Sequence, residues 1–362
     1  MSPTRAEPIG SLLRPQELKD AREAHEAGRL DPAEFKRIED EAAAAAIALQ
    51  ERAGMEVVND GEMRRGHFMG SLTEAIDGLG DVPAAPHQWH GSDEMEYSHV
   101  RAVTGRLRRV RSLVQEEFVF LRARAERPVK MTLPSPLMMQ TLWSPEHSTA
   151  AYSDPFEMFA DAAAILREEI AALVELGCES IQIDAPELAL MVDESVREAF
   201  RGRGVDPDRM LGEGIEIINS VAELSGPRYG IHLCRGNRDG HWMAAGGYDS
   251  IAARLFEGCT NFQVFFLEYD DERSGTFEPL RAVPDDRQVF LGLVSTKHPE
   301  LEEPDELLAR IDEAAAFFPR ERLGLSPQCG FASTVGGNPL TVEQEEAKLR
   351  LVADVAARAF DG

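Results

Sequence analysis

His232 and Cys234 lie two residues apart in the run Gly230-Ile231-His232-Leu233-Cys234-Arg235-Gly236-Asn237. As a β-strand, this run turns both side chains to one face, roughly 7 Å apart along the chain. An imidazole and a thiolate on one face suit Zn2+, which takes nitrogen and sulfur donors in a tetrahedral shell. Other donors must then come from elsewhere. Glu268 closes the next apolar run, 262–268, and Cys329 follows a short strand-like run at 325–328, so each is placed to contribute. The same His-x-Cys pair also describes a packed histidine beside a structural thiol, and the surroundings have to decide between them.

Eight short strand candidates run through the chain, at 6–11, 55–60, 129–133, 180–184, 228–234, 262–268, 289–294 and 322–326. Helical patterns separate most of them, at 15–27, 31–52, 155–176, 208–224, 248–256, 304–317 and 341–360. In the second helix Asp31-Pro32 supplies a cap and a first-turn proline, and an alanine-rich run stops at Gly54. Strand and helix in alternation predict a (β/α)8 TIM barrel, with an open doubly wound sheet as the alternative. Residues 1–362 then form a single barrel domain with an irregular insertion at about 70–127, in which 97–110 alternates enough for a hairpin or excursion. His67, His87, His90 and His99 have spacings that fit no helix or strand pair, which favours a loop or lid over a second metal site. In a barrel, Ser11, Asp60, Glu62, Asp184, His232, Cys234, Glu268, His298 and Cys329 all fall at or just beyond strand C-termini, the face where barrel enzymes assemble their sites.

With 64 acidic against 38 basic residues the net charge is −26, which argues against nucleic acid or an anionic membrane as partner. No apolar run is long enough to span a bilayer, and the first residues lack a signal-peptide pattern, so a cytoplasmic protein is expected. A homo-oligomer is left open. The four cysteines, 178, 234, 259 and 329, are too widely spaced for a disulfide framework, so reduced thiols are available as ligands. Cys178 and Cys259 each follow a glycine between a helix and a strand, which places them in the core or at the opposite face. Gly336-Gly337-Asn338 lacks the Lys-Ser/Thr of a nucleotide loop.

At these residues the sequence resembles the catalytic barrel of the cobalamin-independent methionine synthase family. The resemblance covers most of the chain and rests on Ile9-Gly10-Ser11, Asp60-Gly61-Glu62, Ile181-Gln182-Ile183-Asp184, His232-Leu233-Cys234, Glu268 and Cys329-Gly330. It implies Zn2+ held by His232, Cys234 and Cys329, with Glu268 as a fourth ligand that the substrate thiol displaces. It also implies that Glu62 and Asp184 hold the amino group of homocysteine and that Ser11, with its neighbouring backbone, holds the carboxylate. His298 would pass a proton to the leaving group, and Trp143 would lie in the loop facing the pterin. The chemistry follows from the metal. A free thiol, with a pKa of about 8.5, is mostly protonated at neutral pH, and coordination converts it to thiolate. Zn2+ with two cysteinates and a carboxylate carries a formal charge of about −1, which exchange of the carboxylate for a thiolate preserves.

Departures from the family leave the alkyl donor unassigned. The full-length synthases carry a second barrel-like half for which this chain has no room, and Ala185-Pro186 stands where they usually have Glu-Pro. Short single-barrel members also resemble epoxyalkane:coenzyme M transferase, for which Lys297, Arg64, Arg65 and Arg235 are candidate partners of an anionic thiol. Two further alternatives are a non-catalytic metal or corrinoid binding module and a metal-free decarboxylase of the uroporphyrinogen type. Glu62 with Asp184 argues against the former, and Cys234 with Cys329 against the latter. The expectation is a zinc-dependent transferase whose partners are a small thiol and a methyl or other alkyl donor.

Overall fold

A computed structural model describes residues 4–83, 85–87, 96–98 and 101–360, with side chains omitted for 85–87 and 96–98. Six parallel strands make one continuous sheet, in the order Met131–Pro134, Ser180–Asp184, Arg228–Leu233, Val264–Glu268, Gln288–Val294 and Leu323–Pro327. Two thinner segments close it into a ring. Ala6 bridges in parallel to Leu325, Val58 bridges in parallel to Val129, and the Glu56 N–H donates to the Ala6 carbonyl at 3.1 Å. The result is the expected eight-stave barrel, counted from Ala6 as the first stave to Leu323–Pro327 as the eighth. Pro8 helps explain why the first stave is so thin, because it has no N–H to give a ladder.

The helices begin where the capping chemistry places them. Asp31 accepts from the Ala33 N–H at 2.9 Å to start Pro32–Arg52, and Asp154 accepts from Phe156 at 3.1 Å to start Pro155–Glu175. Two of the expected helices contain wide turns. The stretch read as 208–224 is Pro207–Arg209, a wide π turn at Met210–Gly214, then Ile215–Val221. Glycines 212 and 214 weaken the helical ladder there. Tyr248–Ser250 is a 3-10 turn followed by a π turn at Ala253–Glu257. Among the described residues, no helix is long and apolar enough to cross a membrane.

Within the expected insertion, Ile76–Asp81 pairs antiparallel with Arg101–Arg109, and helix Gln115–Arg124 leads into the third stave. Periodicity found only the second arm of that hairpin, since the first, Ile-Asp-Gly-Leu-Gly-Asp, has two glycines and little alternation. His90, His99 and the side chain of His87 lie outside the described residues.

A chain of buried polar side chains crosses the strands, beside an apolar cluster of Ile9, Val264, Phe266 and Phe290. Arg228 pairs with Glu7 at 2.7 Å, and Glu7 pairs with Lys130 at 3.4 Å. Lys130 donates to Gln182 at 2.7 Å, and the Gln182 amide donates to Asp184 at 2.7 Å. Burial draws the Lys130 ammonium down to about 8, against the pull of Glu7. Removing one partner would leave a buried charge alone, at a cost of about 3–5 kcal/mol. Hydrogen bonds thus link the Glu7 and Arg228 pair to Asp184 at the mouth, through Lys130 and the neutral Gln182.

Glu345, on helix Val342–Phe360, is buried and accepts from the Leu13 N–H at 2.8 Å. Burial pushes its carboxyl up to about 8, from 4.5. Between those values the unfolded chain has released the proton and the folded chain keeps it, so this group lowers stability as pH rises. The slope approaches roughly 1.4 kcal/mol per pH unit. Urea unfolding at stepped pH should show a shallower decline for Glu345→Gln than for the parent between pH about 5 and 8.

Candidate active site

His232 sits near the C-terminal end of the fifth stave, Cys234 follows that stave directly, and Cys329 lies two residues beyond the end of the eighth. Their donor atoms all lie within 4.8 Å of one another, and all three side chains are buried. Neither ring nitrogen of His232 has an oxygen or nitrogen partner, and its polar neighbour is the Cys329 sulfur, a rare state for a buried imidazole. One nitrogen and two sulfurs, close together and buried, fit a zinc ion by softness and by number. The two thiols already divide their protons unequally. Cys329 is held well below the usual thiol range, first by the hydrogen bond from Cys234 and then by the neighbouring imidazole, against burial. The same hydrogen bond, together with burial, pushes Cys234 up.

A buried amide and hydroxyl network fixes the turn that carries Cys329. Asn237 and Thr296 donate to the Gly330 carbonyl at 2.8 and 3.0 Å. Asn338 donates to the Thr296 carbonyl at 2.7 Å and to Asn237 at 3.0 Å. The Gly-Gly-Asn stretch dismissed as a nucleotide loop thus supplies a clamp. Gly330 itself admits no side chain, because a Cβ there would lie 2.3 Å from the Ser11 hydroxyl oxygen and 3.0 Å from the Ser11 backbone nitrogen. Ser11 is thereby packed against the turn beside Cys329.

Glu268 ends the sixth stave, fully buried, but it is not in the group of three. One carboxylate oxygen accepts from the Arg235 backbone N–H at 2.6 Å. The other meets Arg273 at 2.9 Å and Lys297 at 3.2 Å. Burial alone would raise its pKa, yet Lys297, Arg235 and Arg273 hold it down to about 2. Tyr248 ties the ends of the two neighbouring staves, donating to the Leu233 carbonyl at 2.6 Å and accepting from the Glu268 N–H at 3.1 Å.

The second and fourth staves bring carboxyls to the same mouth. Asp184 is opposite His232 in the strand register, and burial raises its pKa to about 7, with His232 opposing and Glu62 reinforcing that shift. Glu62 is a non-glycine residue at φ +56°, a left-handed conformation that costs about 1–2 kcal/mol. It is pinned there by Arg14 on its carbonyl at 3.0 Å and by Asp60 on its N–H at 3.0 Å. One Glu62 carboxylate oxygen accepts from Thr132 at 2.7 Å and lies 3.3 Å from Arg65. Gly10 leaves it room, since a Cβ there would lie 2.7 Å from that oxygen. The second oxygen of Glu62 and one oxygen of Asp60 are buried without a donor.

Two expected site residues have their described partners elsewhere. His298 is half exposed and pairs with Glu300 at 3.3 Å. Trp143 is packed as a loop anchor whose indole N–H donates to the Arg203 carbonyl at 2.9 Å. Sequence reasoning passed over Glu187, a fully buried carboxyl that accepts from Ser135, keeps one oxygen without a donor, and is raised by burial to about 8. Its signal was present in Asp184-Ala185-Pro186-Glu187, where an acid follows the strand-end proline.

Fold and site together define an α/β barrel with a buried His-Cys-Cys group at its catalytic mouth. The family model for the catalytic domain of cobalamin-independent synthases matches residues 3–358, and the chain belongs to that family. It is 38% identical over 360 residues to the Bacillus subtilis protein YxjH, covering 98% of this chain and 94% of that one. It is 26% identical to a methionine synthase of Pyrococcus abyssi, covering 89% of this chain and 84% of the relative. A Shewanella B12-independent methionine synthase, solved in complex with selenomethionine, has the same fold at TM-score 0.76 and 20% identity, covering 98% and 97% of the two chains.

Proposed function

We propose that this chain takes a small amino-acid thiol of the homocysteine type, holds its sulfur as thiolate, and accepts a methyl group on that sulfur. His232, Cys234 and Cys329 would hold zinc, which lowers the proton affinity of a bound thiol so that it is nucleophilic at neutral pH. The observation that carries the reading is the buried, donorless oxygen of Glu62, whose carboxylate is close enough to Asp184, the strand partner of His232, to raise its pKa. A buried acceptor without a partner costs about 1–3 kcal/mol, and a substrate ammonium supplies the missing donors. Glu62 and Asp184 read that ammonium, and Ser11 with the adjoining turn receives the carboxylate. Glu268 would complete the donor set as an exchangeable carboxylate, and Lys297 and Arg273 already balance its charge. Membership in a family whose Pyrococcus abyssi relative is called a methionine synthase supports methyl as the group transferred.

The cations that an anionic thiol would need have other work. Lys297 engages the Glu268 carboxylate, the Arg235 guanidinium donates to the Gly246 and Glu268 backbone carbonyls, Arg65 engages Glu62 and Glu117, and Arg64 pairs with Asp40 beside a separate cavity. Zinc-edge absorption spectra of the loaded protein, with and without homocysteine, test the proposal. The expected result is one added sulfur donor on addition of homocysteine. A shell that ignores homocysteine but changes with 2-mercaptoethanesulfonate would replace the amino-acid thiol with an anionic one.

A further inference from the structure

A cavity of about 250 Å³ lies away from the catalytic mouth, between the helices Gln16–Glu26, Pro32–Arg52 and Gln115–Arg124. Its wall includes Arg22, Arg64, Arg65 and Ser71. Arg64 has a side chain only 8% exposed, with one terminal nitrogen 2.7 Å from Asp40. Its Nε and Nη1 are buried without a partner, and so are the Nε of Arg22 and the hydroxyl of Ser71. The lining acids already have partners. Glu39 is 3.2 Å from Arg22, Glu117 is 2.8 Å from Arg65, and at the rim Glu74 pairs with Arg111 and Glu116 with Lys36.

The unsatisfied groups at this wall are donors: three guanidinium nitrogens and a hydroxyl that can give its proton. The carboxylates of the wall are spent on other cations, which leaves these donors short of acceptors, and the cavity has room for more than a single water. A planar guanidinium fork with free N–H groups matches the oxygens of a phosphate or carboxylate. We propose that this cavity is a binding site for a small oxyanion, phosphate or a carboxylate, held by Arg64, Arg22 and Ser71. Arg65 forms part of the same wall and reaches Glu62 on its other side, so the anion would sit behind the catalytic mouth, in contact with one of its supports.

The test is calorimetric titration of inorganic phosphate, and separately of acetate, into the full chain in a low-salt buffer free of both. One site per chain is expected, weakened about tenfold or more in Arg64→Gln. Asp40→Asn frees the third nitrogen of Arg64 and should tighten binding, an effect that misfolding cannot produce. Preference for phosphate over acetate would identify a tetrahedral ligand, and the reverse a carboxylate, and both support the site. Absence of binding by either anion at about 10 mM, or binding that neither substitution alters, would overturn the proposal and leave the cavity to water.

Discussion

Replacing Cys234 by serine should lower the zinc content of the purified protein from about one ion per chain to less than about a tenth, with loss of thiol alkylation. A serine hydroxyl stays protonated at neutral pH and is too hard a donor to replace a thiolate, so of the three clustered donors only His232 and Cys329 remain. Each ligand of a structural zinc site contributes strongly, and losing one should weaken binding on the order of a hundredfold or more. Cys178 and Cys259 provide the control. Both are buried free thiols, and both precede staves rather than follow them, so their serine variants should keep the metal. Elemental analysis of the three variants decides the matter. Zinc retained in Cys234→Ser would refute the assignment.

Glu62→Gln should have the second largest effect and a different signature. The amide can still accept from Thr132, and Arg65 keeps Glu117, so the local fold has what it needs. What disappears is the charge opposite a substrate ammonium. A charge-assisted hydrogen bond is worth about 1.5–3 kcal/mol, so affinity for homocysteine should fall roughly 10–100-fold with zinc content unchanged. Equilibrium binding of radiolabelled homocysteine, with zinc measured on the same samples, separates this outcome from loss of the metal. Unchanged affinity would remove Glu62 from the substrate site and with it the amino-acid thiol.

Much of this site is local in origin, which is why it could be read. His232 and Cys234 share a face because strand side chains alternate, and they meet Cys329 because every stave of a barrel delivers its C-terminal end to one mouth. Positions of the eight staves were visible as apolar runs between helical patterns. The unread parts depend on contacts between distant segments. Periodicity does not tell that Trp143 spends its N–H on Arg203, that His298 turns outward to Glu300, or that Arg65 is buried between two glutamates from different elements. Glu268 shows the limit most clearly. Its place at a strand end was legible, but the two cations and the backbone N–H that hold it come from three separate loop positions.

The barrel is not equally fastened all the way round. Staves three to eight form an uninterrupted ladder, whereas the first and second join their neighbours by the single bridges Ala6 to Leu325 and Val58 to Val129. Ser11 and Glu62 ride on those two lightly bonded staves, and His232 rides on the continuous sheet. Segments with few ladder bonds open locally at lower free energy than the core around them. Amide protons near the first two staves should therefore exchange with solvent well before those of the fifth, so the amino-acid-reading side can breathe while the fifth stave, with His232, stays in register. Ligand entry at the seam then needs no hinge between domains, since the barrel's own closure supplies the compliant edge.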